Sequence, residues 1–76
     1  MPHVIVKLYS GRSEQQKARL AEEVTKAVMA ALSSGAESVS VGIEDVEPRD
    51  WAEKVYTPDI LGKPETIYKK PGYKPL

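Results

Sequence analysis

One long helical repeat lies between two short stretches of alternating apolar residues, and that order leaves the chain few folds. Residues 2–9 put Pro2, Val4, Val6 and Leu8 on one side and His3, Ile5, Lys7 and Tyr9 on the other, the period of a strand with one face against a helix. Ser10 and Gly11 break that run. Ser13 and Gln16 then stand three apart, so the Ser13 hydroxyl can accept from the Gln16 amide while the Gln16 side chain reaches back. Leu20, Ala21, Val24, Ala27, Val28, Ala31 and Leu32 recur at helical spacing. Lys17, Arg19, Glu22, Glu23 and Lys26 occupy mainly the other side, and Gly35 is the expected stop. Val39, Val41 and Ile43 alternate with Ser40, Gly42 and Glu44 as a second strand. A helix inserted between two strands makes them parallel, with a right-handed crossover.

The expected class is therefore α+β, a βαβ subunit over about residues 2–46 within a single domain of residues 1–76. Pro48 opens a short helix through Trp51, over about 48–55. From Thr57 the chain changes character: Pro58, Pro64, Pro71 and Pro75 alternate with lysines and with Tyr68 and Tyr73, and residues 57–76 read as an extended arm. A two-stranded parallel sheet needs cover on both faces, and one helix leaves one face bare. A chain of 76 residues buries only roughly 60% of its unfolded surface and is marginal alone. It has no cysteine for a disulfide or thiolate site and one histidine, so no metal site is expected. Self-association is the remaining route to stability. The expected assembly is a homodimer with a four-stranded sheet. In it the arm crosses to the partner and buries Ile60, Leu61, Ile67 and parts of Tyr56, Tyr68 and Tyr73.

Eleven basic residues balance eleven acidic ones, which gives no electrostatic footprint for nucleic acid or an anionic membrane. The tyrosine–lysine arm is a weak stacking platform at that balance, and a structural arm is preferred. No apolar stretch approaches a membrane span, and Met1-Pro2-His3 lacks the charged start of a secretion signal. The expected location is the cytoplasm.

Three residues carry the candidate chemistry, each with a bland alternative. Loss of Met1 would leave Pro2 with a free secondary amine, a base titrating near neutrality; otherwise Pro2 only begins an edge strand. Arg12 follows the first strand, where such folds commonly bind ligands, and its guanidinium can grip a carboxylate; otherwise it is a solvated loop residue. Trp51, the single tryptophan, either walls an apolar pocket or anchors the short helix. His3 points away from the Pro2 side and reads as structural, and Arg49, beside Trp51, is a candidate spare cation whose surface reading is preferred.

Taken in order, Pro2 after Met1, the run Gly11-Arg12-Ser13-Glu14-Gln15-Gln16-Lys17 and the strand Ser38-Val39-Ser40-Val41 resemble the 4-oxalocrotonate tautomerase group of the tautomerase superfamily. Tyr68-Lys69-Lys70-Pro71-Gly72-Tyr73 and the surroundings of Trp51 extend the likeness to its PptA-type subgroup. The resemblance implies a cofactor-independent isomerase that interconverts enol and keto forms of 2-oxo acids, with Pro2 as general acid/base. It implies that Arg12, Trp51 and Ser40 line the substrate site. Ser40 stands where the better-known hexameric members supply a second arginine from a neighbouring subunit, so a monocarboxylate enol, aryl or dienyl, fits better than a dicarboxylate. Two alternatives keep the fold: a non-catalytic dimeric binding module, and a proline-dependent hydratase or dehalogenase.

Overall fold

The computed structural model describes residues 1–74, and within it strand β1 spans His3–Tyr9, helix α1 Glu14–Leu32 and strand β2 Ser40–Val46. The strands pair in parallel from His3 opposite Ser40 to Tyr9 opposite Val46. Two further backbone bonds extend the ladder at its ends, Ser40 N–H to the Pro2 carbonyl at 3.1 Å and Ser10 N–H to the Val46 carbonyl at 3.0 Å. Gly11 makes the exit from β1 with φ +118°, a conformation that costs glycine nothing and other residues much.

The capping box at Ser13 is formed in full, with Gln16 N–H donating to Ser13 Oγ and Ser13 N–H to Gln16 Oε1. The helix stops earlier than Gly35. Ser33 takes the left-handed position at φ 55°, a role that a short polar side chain can fill at some cost. Gly35 instead opens a 3₁₀ turn over Ala36–Ser38, its carbonyl accepting from the backbone N–H and the hydroxyl of Ser38.

Paired residues of parallel strands share a face, so ion pairs reveal what covers each side of the sheet. Leu8 pairs with Asp45, and Lys17 of α1 reaches Asp45 at 2.7 Å, which puts α1 on the side of Val4, Val6 and Leu8. The opposite side is not bare. Lys7 donates to Asp59 at 2.5 Å from that side, and Tyr9 meets Trp51 there. Both partners belong to a C-terminal helical segment that leans on the face expected to be open.

That segment also outruns the expected short helix. A 3₁₀ turn at Pro48–Asp50 leads into a π-helix over Ala52–Leu61, so the arm begins past Leu61 rather than at Thr57. Pro58 lies inside it. In a π-helix each N–H bonds the carbonyl five residues back, and Pro58 forfeits only its own donor at the wide-turned segment. Gly62 N–H closes the last turn on the Thr57 carbonyl at 2.8 Å. A Cβ at Gly62 would lie 2.7 Å from the Pro58 carbonyl, so glycine alone passes this point unstrained. The remaining chain makes one more 3₁₀ turn at Pro64–Thr66 and folds back on its own π-helix, where Tyr73 meets Trp51 and Tyr56. In the single chain, then, the arm returns to its own helix at Tyr73. Pro75 and Leu76, the end of that arm, lie outside the described residues.

Among the described residues Val55 is the only enclosed apolar side chain, at 5% exposure. Ile5, Leu32 and Leu61 remain 53%, 62% and 60% exposed, far more than a self-sufficient core leaves open.

Candidate active site

The four residues singled out from the sequence stand in two groups at opposite ends of the sheet. Pro2 precedes β1 and is half-buried, with its carbonyl held by Ser40 N–H. Ser40 begins β2 beside it, and Ser40 Oγ lies 2.6 Å from His3 Nδ1. That contact engages the Ser40 hydroxyl with the imidazole of the neighbouring strand.

Arg12 and Trp51 lie at the other end. Gly11 turns the chain so that Arg12 follows β1 directly, and Arg12 Nη1 donates to the Tyr9 carbonyl at 3.3 Å, which ties the exposed guanidinium to the strand's end. Trp51 stands edge-on to Tyr9, with ring centroids 5.1 Å apart and planes at 83°. Its indole N–H donates to the Tyr73 hydroxyl at 2.9 Å, so the half-buried ring is fixed on two sides. With β1 seven residues long and a rise of about 3.3 Å per residue, roughly 20 Å separates Pro2 from Arg12.

A cleft of about 550 Å³ opens at the Arg12–Trp51 end, with Tyr9, Trp51 and Tyr73 as its aromatic walls and Arg49 and Lys74 also in its lining. That size falls in the range of small-molecule sites, roughly 300–1,000 Å³. Among the described residues no carboxylate pairs with Arg12 or Arg49, so both guanidinium groups are free to take an anion. Pro2, Ser40 and Arg12 themselves line none of the four principal clefts.

Against this geometry, the comparisons with known proteins are consistent. The family model for tautomerase enzymes matches residues 2–55. The chain belongs to the tautomerase family. It is an isomerase by kinship: a probable tautomerase of Xylella fastidiosa is 43% identical over 76 residues, all of this chain and 93% of that protein. The tautomerase PptA of Cronobacter sakazakii is 36% identical over 75 residues, 97% of this chain and 99% of that protein. The crystal structure of TomN, a 4-oxalocrotonate tautomerase homologue of the tomaymycin biosynthetic pathway, superposes with a TM-score of 0.64 at 38% identity, over 66% of this chain and 77% of that one. A 4-oxalocrotonate tautomerase isozyme of Methylibium petroleiphilum gives a TM-score of 0.64 at 40% identity, over 66% and 81% of the two chains.

Two aromatic walls of this tautomerase's cleft escaped the sequence reading. Tyr9 sits on the strand side taken as mixed and Tyr73 in the arm assigned to a partner, whereas Arg49, weighed from the sequence as a spare cation beside Trp51, lines the cleft. A lone tryptophan needs walls, and the tyrosines at strand end and tail were the signal for them. Their meeting at Trp51 depends on the π-helix carrying the chain past Pro58, which a reading of proline as a breaker could not supply.

Proposed function

We propose that this tautomerase uses Pro2, freed by removal of Met1, as the general acid/base for keto–enol interconversion of a monocarboxylate 2-oxo acid. The observation that carries the proposal is the position of Pro2 within a family member: its ring is anchored through its carbonyl on Ser40, while its nitrogen carries nothing but Met1. With Met1 gone, that nitrogen is a secondary amine whose pKa lies near operating pH and falls further in a dry, cation-lined pocket. It takes the proton of the enol hydroxyl or of the carbon beside the carbonyl and returns it to carbon elsewhere in the conjugated system. Arg12 holds the carboxylate with paired hydrogen bonds and draws charge toward it, and Trp51 excludes water. No cofactor enters this scheme.

Because Pro2 and Arg12 lie at opposite ends of one sheet, a complete site takes Pro2 from one subunit and Arg12 and Trp51 from another. The thin core and the exposure of Ile5 and Leu61 favour the same association. A homodimer is preferred to a hexamer, because the folded-back tail covers surface that a further copy would need. A cytoplasmic location is part of the same proposal, and cell fractionation checks it.

The test joins intact mass with kinetics. Protein lacking Met1 should ketonise an aryl enolpyruvate, and Pro2→Ala, which offers only a flexible primary amine, should lose about 100-fold or more in kcat, the scale of a positioned acid/base. Full turnover by Pro2→Ala, or by protein whose mass retains Met1, overturns the mechanism and favours the binding-module alternative.

A further inference from the structure

One residue of β2 holds the start of the chain at two points. Ser40 N–H donates to the Pro2 carbonyl at 3.1 Å, and Ser40 Oγ lies 2.6 Å from His3 Nδ1 across the His3–Ser40 pair of the ladder. Ser40 is itself set by the turn before it, where the Ser38 and Val39 N–H groups close on the Gly35 and Ala36 carbonyls at 3.1 and 3.2 Å. The first contact holds the carbonyl of the Pro2–His3 peptide, and the second holds the side chain just beyond it. With that planar unit fixed, Pro2 Cα is fixed too, and only rotation about its Cα–C bond still moves the Pro2 nitrogen.

We propose that His3 is a positioning residue for the Pro2 amine: its bond to Ser40 locks the Pro2–His3 peptide and with it the place of the nitrogen. The proposal deepens the function proposed above and rests on it for the reaction itself. A backbone bond at the end of a two-stranded ladder opens readily, whereas an acid/base group has to be held within about 0.5 Å of its working position. The carbonyl bond alone lets the peptide swing about it, and the side-chain bond beyond His3 Cα removes that swing. The imidazole can make the bond in any protonation state, since a bare Nδ1 accepts from the Ser40 hydroxyl and a protonated Nδ1 donates to it. A clamp of this kind does not depend on charge, which sets the role apart from that of a proton carrier.

Three chains lacking Met1 test the role: wild type, His3→Phe, which keeps a ring without its nitrogens, and His3→Asn, whose amide reaches Ser40 Oγ from close to the position of Nδ1 and does not titrate. With an aryl enolpyruvate, His3→Phe should lower kcat about tenfold and leave KM within about twofold, the pattern of a displaced acid/base with substrate binding intact. His3→Asn should recover most of kcat and keep the wild-type pH profile. Equal loss in both variants would make the imidazole itself a proton carrier, and unchanged kcat in His3→Phe would make His3 a strand residue only. Either result overturns the proposal.

The mobility of Pro2 separates this proposal from the one it rests on. In protein carrying isotope-labelled proline, the order parameter of the Pro2 Cα–H bond should lie near the rigid-backbone value of about 0.85 in wild type and His3→Asn, and below about 0.6 in His3→Phe. That outcome in a protein with no tautomerase activity keeps the clamp and removes the reaction. Equal order parameters in all three chains of an active enzyme keep the reaction and remove the clamp.

Discussion

Where β1 begins, the sheet presents Pro2, His3 and Ser40, joined by one ladder bond and one side-chain contact. Where β1 finishes, it presents Tyr9, Arg12, Trp51 and Tyr73, with Arg49 beside them and a cleft of about 550 Å³ between aromatic walls. The first end holds Pro2, the proposed acid/base, which lines none of the four clefts described above. The second has the aromatic cleft, with Arg49 and Lys74 in its lining and Arg12 nearby. A parallel strand cannot bring its own two ends together, since each residue carries the chain about 3.3 Å further on. On the function proposed above, a second copy would have to set one end against the other.

The sharpest way to break that comparison is to disable the two ends in separate chains. Pro2→Ala and Arg12→Ala are each expected to be nearly inactive. Unfolded and refolded together in equal amounts, they should regain activity from about a quarter of their sites, as expected when half the dimers are mixed and one of two sites in each is intact. No recovery in a verified mixed oligomer would mean that each site is built within one chain.

Arg12→Ala alone should cost about 2–5 kcal/mol in transition-state binding, read from kcat/KM, if its pair with the substrate carboxylate is desolvated. A wild-type value would return Arg12 to the solvated loop residue of its bland alternative. A smaller effect is expected from substrate charge. Ser40 meets His3 and offers no cation, so monocarboxylates should be preferred over dicarboxylates in kcat/KM. Faster turnover of a dicarboxylate would turn attention to Arg49, whose guanidinium has no acidic partner among the described residues.

The smallest expected effect lies between the ends. Lys7 and Asp59 tie β1 to the π-helix, and the hydrogen bond to Asp59 raises the Lys7 pKa above its ordinary 10.5, with desolvation pulling the other way. A raised lysine stabilises the fold fully below its ordinary value and loses that contribution as pH climbs through the raised one. Asp59→Asn should therefore hasten hydrogen exchange in the π-helix across the neutral range, with the gap to wild type closing above pH 10.5. Exchange unchanged at neutral pH would show that Trp51 and Val55 hold the segment without the pair.

Much of the core was legible because its signals are local. Ser13 and Gln16 cap α1 from within one turn, and Val4, Val6, Leu8, Leu20, Val24 and Val28 repeat at the period of the element they build. The candidate site residues were legible one at a time, as chemical types: a proline nitrogen at Pro2, a fork at Arg12, an indole at Trp51. Their grouping was not. Tyr9 and Tyr73 are 64 residues apart in the chain and meet at Trp51 only because the π-helix runs on through Pro58 and turns back at Gly62.

The order of elements, the parallel sense of the strands, the helix start and the incompleteness of a lone chain followed from the sequence itself, since periodicity, capping and length act over a few residues or over the whole composition. Tertiary structure alone decided which face the C-terminal segment covers and that Tyr73 braces Trp51. The physical reason is common to both. Each depends on where non-neighbouring groups come within a few ångströms of one another, and no local preference of the backbone encodes that distance.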